Sequence, residues 1–194
     1  MTVEELYDAV RSYTNRPNLS NTEVRLWCDM ATSALSVALR DHPRNLRVGT
    51  HSQSAGNAII RLPYDIAQLV ELRSNGVVWE QYPHSMYQEM KAADCAFTQN
   101  GDCLELSQAP EEATTFTLTY HRTLPAQVIG GKPNWVMDLF PDIYLYRTLQ
   151  EAAIALKDTA NGPIWAQEAA QRLQALVAQG WDQNIAASPK VRLR

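Results

Sequence analysis

The hydrophobic period of this chain changes twice, and no other feature restricts its fold as strongly. Before about residue 40 and again after residue 134, apolar residues recur every three to four positions, as one face of a helix requires. From Arg47 the recurrence drops to two, the spacing of side chains on one face of a strand. The expected order is helices, then strands, then helices.

Local signals place the elements. Thr2 with Glu5 is a capping box ahead of Val3, Leu6, Tyr7 and Val10, predicting a helix over 3–14 that ends before Pro17. Ser20 with Glu23 is a second box, followed by an apolar stripe of Val24, Trp27, Cys28, Ala31, Leu35 and Ala38 that puts Cys28 in the core. Among the strands, Asn75-Gly76 separates QLVELRS from VVWEQY, and Asn100-Gly101 separates CAFTQ from DCLELS. Each Asn-Gly pair supplies the positive φ of a type I′ hairpin turn. With the second pair as the turn, Phe97 faces Leu104 and Cys95 faces Leu106, so Cys95 and Cys103 are out of register for a disulfide. Residues 58–62 and the alternation Phe116, Leu118, Tyr120 give further strands, and 83–93 reads as a short helix. Asn134 caps a turn through Phe140, Pro141 opens a helix through Leu156, and Asn161-Gly162-Pro163 starts the last helix, which runs to about Trp181.

These pieces predict an α+β fold: a helical bundle built from the amino- and carboxy-terminal helices (1–44 and 134–185), a small antiparallel β region inserted at 45–133, and an extended basic tail at 186–194. A chain of 194 residues, 45% hydrophobic, is long enough to bury about 70% of its unfolded surface, which suits one compact domain.

Composition excludes several kinds of chemistry. Three cysteines without a CxxC pair argue against a disulfide framework and a zinc site, and suit a reducing compartment. The acidic start MTVEELYDAVRSY is unlike a signal peptide, and no apolar run reaches the roughly 18 residues of a membrane span. His42, His51, His84 and His121 are scattered and form no metal-ligand pattern. GTHSQSAG lacks the GxSxG elbow, and IGGKPN lacks the spacing and the Ser/Thr of a phosphate loop. Asp138 and Asp142 flank a helix start, where the dipole favours acids without any catalytic role. No catalytic residue, metal or cofactor is expected. The surplus of aromatics (Trp79, Tyr82, Tyr87, Trp165 and Trp181) fits either core packing or subunit interfaces.

A net charge of −4 provides no general attraction to phosphate, and the one basic cluster is Pro189-Lys190-Val191-Arg192-Leu193-Arg194. Two readings of it stand side by side. One is a solvated terminus. In the other, Val191 and Leu193 alternate on an extended strand that docks on another subunit, while Lys190, Arg192 and Arg194 pair with its acids.

The ordered combination IIRLPYDIAQLVELRSNGVVWEQYPHSMYQEM (59–90), GDCLELSQAP (101–110), TLTYHRTLPA (117–126) and NWVMDLFPDIYLYRTLQEAAIAL (134–156) resembles the head-to-tail adaptor proteins of short-tailed bacteriophages, the tail tubular protein A or tail accessory factor type. The likeness spans about 2–182. It implies a non-enzymatic virion protein at the neck, a homo-oligomeric ring of usually twelve copies below the portal protein, joined to tail or nozzle proteins. Genomic DNA would pass through such an acidic ring without specific binding, and no membrane is involved. It also implies that Lys190, Val191, Arg192, Leu193 and Arg194 reach the portal or a neighbouring subunit. A tail-completion or stopper protein, a virion-associated cell-wall hydrolase using an Asp/Glu pair, and a DNA-binding regulator using the basic tail are the competing readings.

Overall fold

Thr2 and Ser20 each close their capping box in the computed structural model, which describes residues 1–187 and side chains as far as Ala178. The Thr2 hydroxyl accepts from the Glu5 N–H at 3.1 Å while the Glu5 carboxylate accepts from the Thr2 N–H at 2.8 Å. Ser20 and Glu23 repeat the exchange at 3.2 and 2.9 Å. Two orphan donors are satisfied at each helix start.

The elements run α1 (Val3–Tyr13), α2 (Asn21–Ala38), β1 (Leu46–Gln53), β2 (Ile59–Arg61), β3 (Ile66–Ser74), β4 (Val77–Tyr82), α3 (Tyr87–Ala92), β5 (Ala96–Asn100), β6 (Cys103–Leu106), β7 (Thr114–Arg122), α4 (Trp135–Leu139), α5 (Pro141–Leu156) and α6 (Gly162–Ala187). They form two compact units: Met1–Arg44 with the chain from Leu124 onward, and Asn45–Thr123.

In the sheet unit all seven strands join one sheet, in the order β1-β7-β3-β4-β5-β6-β2. The two edge strands, β1 and β2, are consecutive in sequence. A flat sheet with strands about 4.8 Å apart would hold those edges about 29 Å from each other, whereas the six steps from Gln53 to Ile59 reach at most about 21 Å. The sheet must curl, and it does so into a nearly closed barrel. The buried Gln53 side chain bridges the edges, its Nε2 donating to the carbonyls of Asn57 at 2.7 Å and Ile59 at 2.8 Å. Register shifts in β3 between Ile66 and Gln68 and between Leu69 and Glu71 add the local bend that bulges provide. Inside lie Ile60, Leu72, Phe97, Leu104, Leu106, Phe116 and Leu118, a core separate from that of the helices.

This arrangement corrects the expected fold of a helical bundle with a small antiparallel β insertion. The strands form a seven-stranded sheet with its own core, the described residues make a mixed α/β structure with six α-helices, and β4 pairs with β5 in parallel, with α3 in the crossover between them. The physical reason lies in β1. Its inward positions are Arg47, Gly49, His51 and Gln53, set beside the inward residues of β7, while Leu46 and Val48 face outward, so its pattern does not announce a buried face.

The first hairpin turn is the expected one, with Asn75 at φ 49° and Gly76 at φ 80°, both in the left-handed region a type I′ turn needs. The second is displaced. Asn100 stays in β5 opposite Cys103, and Gly101 (φ 61°) and Asp102 make the turn, with glycine first as in type II′. Phe97 therefore faces Leu106, not Leu104. The shift is two residues, so each side chain keeps its face.

In the helical unit, Asn134 accepts from the Met137 N–H at 3.1 Å to cap α4, and Pro141 takes the first position of α5, where a missing N–H costs nothing. Leu6, Tyr7 and Val10 of α1, Trp27 and Leu35 of α2, Ile143 and Leu149 of α5, and Trp165 and Leu176 of α6 share one core. A polar cluster runs through it. The fully buried Tyr144 hydroxyl meets the Thr32 hydroxyl and receives the Asn134 amide at 3.4 Å, Thr32 donates to the Cys28 carbonyl at 2.8 Å, and Thr148 donates to the Tyr144 carbonyl at 2.9 Å. Satisfied polar groups of this kind select one packing register among otherwise interchangeable apolar contacts.

Gln53→Ala is expected to cost about 1–3 kcal/mol, since it strands two carbonyl oxygens at the closing seam. Hydrogen exchange should show faster opening at β1 and β2, with the amides of α1, α2 and α5 unaffected.

Candidate functional site

Lys190, Val191, Arg192, Leu193 and Arg194, singled out for docking, lie outside the described residues, and so does the Trp181 side chain. The histidines stay apart. His42 stacks on Trp135 with ring centroids 4.7 Å apart, His51 is 3.0 Å from the Gln53 amide oxygen, and His84 leans on Tyr87. All three cysteines are free. Burial pushes the Cys28 thiol up to about 12, against a smaller lowering by its contact with Thr148. Among the described residues no group of three His, Cys, Asp or Glu is placed to hold a metal ion.

In the loop containing IGGKPN both glycine amides are already engaged within the chain. The Gly130 N–H donates to the Glu4 carboxylate at 2.9 Å, and the Gly131 N–H to the Val128 carbonyl at 2.8 Å. A phosphate cradle needs such amides free. Asp142 pairs with Arg172 at 2.9 Å. Among the described residues, every carboxylate whose pKa departs from its ordinary value is held lower: Glu4 by backbone N–H groups, Glu23 by Ser20, Glu71 by Arg73, Glu105 by the Tyr87 hydroxyl and Asp158 by Asn161. A general acid of glycoside hydrolysis needs the opposite shift.

The aromatics divide. Trp165 is core, and Trp79 is packed edge-on against Phe116 at 5.3 Å with its N–H donating to Ser74 at 2.8 Å. Tyr82 and Tyr87 are half-buried. The most exposed large side chains are elsewhere, and their pattern is informative.

α2 is apolar on two opposite sides. Its inner stripe (Val24, Trp27, Cys28, Ala31, Leu35) is buried, but Leu26, Met30 and Val37 are 58, 47 and 79% exposed. At 100° per residue these three, with Ser33, lie within about 60° of one another on the outward side. Ala38, expected in the inner stripe, is exposed as well. The second stripe was legible in the sequence from the same spacing as the first. On α6, Ala170, Leu173, Gln174, Val177 and Ala178 line a hollow of about 540 Å³ together with Ala38, and Gln150, Ala153, Ile154, Pro163 and Ala166 line another of about 570 Å³ where α5 turns into α6. In the sheet unit, the outward side chains of β1 and β7 form the cross-strand pairs Leu46–His121, Val48–Thr119, Thr50–Thr117 and Ser52–Thr115, a face without a carboxylate, lysine or arginine. What the geometry offers is uncharged surface, on helices and sheet alike. Its chemistry is that of contact.

The model of the SU10 adaptor protein family matches residues 1–193. The chain belongs to that family. It is therefore a structural adaptor of a bacteriophage, a component of the virion. No curated protein matches the chain. No helix among the described residues is long and apolar enough to cross a membrane.

Among the described residues, His42 is placed to couple the fold to pH near neutrality. The His42 Nδ1 accepts from the Arg44 N–H at 3.2 Å, which requires that nitrogen unprotonated, and the Arg44 guanidinium lies 5.9 Å from the Trp135 ring on which His42 stacks. Burial first, and then the charge of Arg44, holds the His42 pKa below its ordinary value. The unfolded chain takes up the proton first as pH falls, so the stability from neutral His42 is complete above about pH 6.5 and declines below it, down to the folded pKa. Urea midpoints should fall between about pH 7 and pH 5.5, and His42→Phe, which keeps a ring on Trp135 without a titrating group, should flatten that dependence.

Proposed function

We propose that this adaptor joins the head to the tail of a tailed phage. It seats as a homo-oligomeric ring, twelve copies in the reading adopted, below the portal protein, contacts tail or nozzle proteins, and leaves a channel through which the genome passes. The match to the adaptor family along residues 1–193 carries this reading. The net charge of −4 per copy supports it, because an acidic ring makes none of the counterion-releasing phosphate contacts that would hold a duplex in transit. Uncharged exposed stripes on α2 and α6 supply the contact area that an assembly of many copies needs.

In the same reading, the segment from Pro189 to the end is the docking arm. Lys190, Arg192 and Arg194 pair with acids of the portal, or of a neighbouring subunit, while Val191 and Leu193 fill apolar positions between them.

Native mass spectrometry of the chain mixed with its portal is expected to give a ring-on-ring complex. A chain that stays unbound over a range of salt concentrations overturns the reading. Deleting 189–194 is expected to weaken portal attachment by about tenfold or more with the urea midpoint unchanged. Undiminished attachment removes the arm from the account and leaves the adaptor reading standing.

A further inference from the structure

We propose that the adaptor chains contact one another head to tail, with the outward ridge of α2 in one copy lying in a trough along α6 of the next. This rests on the ring reading above and says which surfaces close the ring.

The trough is continuous within the helical unit. The hollow at Leu173 and Val177 shares Ala170 and Leu173 with a smaller one of about 170 Å³ between α2, α5 and α6, and that one shares Gln150 and Ala166 with the hollow at Ile154 and Pro163. From Pro163 to Ala178, at about 1.5 Å per residue, the trough runs roughly 22 Å. Its floor follows a line of α6 at intervals of four residues, Ala166, Ala170, Gln174 and Ala178, where the three alanines leave a groove of the kind into which another helix packs its ridge.

The same chain carries a ridge to fit it. Leu26, Met30, Ser33 and Val37 recur at intervals of four, three and four, and span roughly 16 Å of α2. Three of the four are large apolar residues about half exposed or more, a state that water disfavours and a partner groove relieves.

Charge selects the occupant. Copies of a chain at −4 repel one another, so like copies associate most readily through surfaces that carry no charge. The ridge line has none. In the trough, Arg147 is engaged by Gln150 at 2.6 Å and Glu151 at 2.7 Å, and Lys157 and Asp158 stand at one end. A basic segment such as 188–194 suits the trough poorly, since among the described residues Asp158 is the one carboxylate lining it and already accepts from Asn161 at 2.8 Å. Ridge and trough are different surfaces of one unit, so the contact is heterologous, the kind that closes a ring when its repeated rotation completes a full turn.

The test uses two full-length chains of different mass in a Cys95→Ser, Cys103→Ser background, one carrying Met30→Cys and the other Ala170→Cys, mixed and oxidised. The mixed disulfide dimer is expected in several-fold excess over both homodimers. Met30→Cys homodimers in the majority would mean a two-fold contact between ridges, and no cross-link in chains that still bind the portal would mean the ring closes elsewhere; either result overturns the proposal while sparing the adaptor reading. Cross-linking without portal binding sinks the adaptor reading and leaves the contact standing, and failure of both sinks both. Val37→Asp, on an exposed position that leaves the fold intact, is expected to weaken self-association by about tenfold or more. Deleting 188–194 is expected to leave the cross-link unchanged; a several-fold rise would mean that the chain's own tail fills the trough, and would overturn the proposal.

Discussion

Residues 54–58 tie together the two outermost strands of a seven-stranded sheet, and the sheet unit depends on that short tether. A chain that places consecutive strands at opposite edges must either span the sheet or bend it, and five residues span too little. The bend brings Gln53 against the backbone at Asn57 and Ile59, so the seam is closed by side-chain amide donors in place of a strand ladder. The curl also gives the inward side chains of β3, β5, β6 and β7 a common interior. Gly49 fits the same constraint. A Cβ there would meet the Tyr120 ring at 3.5 Å, an ordinary contact distance, so at this one inward position of β1 the ring lies close over the backbone.

The helical unit solves a different problem. Its core is mostly apolar, and apolar contacts alone discriminate poorly between registers; the Thr32–Tyr144–Asn134 cluster with Thr148 gives the helices one register in which its partners are met. Outside that core the surface departs from what a lone monomer requires. Leu26, Met30 and Val37 face water on a helix whose other side is already buried, and α6 presents alanine and glutamine along the line where charged residues would ordinarily keep a helix soluble. A structural adaptor acts through such faces. No cleft with convergent polar groups accompanies them among the described residues, and the carboxylates with shifted pKa values are all held by local donors.

Much of the local structure was legible. The two capping boxes, the Asn134 cap, Pro141 at a helix start and the Asn75-Gly76 turn depend on neighbours within four residues and formed as their chemistry dictates. The second hairpin turn moved by one residue, and each cross-strand partner with it by two: Asn100 has a ladder partner in Cys103, and Gly101 supplies the positive φ. The apolar ridge on α2 obeyed the same helical spacing as the buried stripe, and only burial tells the two apart.

The sequence by itself determined where the capped helices begin and that Asn75-Gly76 turns the first hairpin, since each of these follows from side chains close together along the chain. Its resemblance to the phage adaptors pointed to the family to which it belongs. The tertiary structure alone decided that the strands make one nearly closed sheet with a parallel pair, which apolar stripe of α2 is buried and which is left exposed, and that hollows along α6 join into a trough. Those outcomes rest on pairings between residues far apart in sequence, such as β1 with β7 and α2 with α5, whose selection depends on how whole surfaces pack and leaves no mark in any local run of residues.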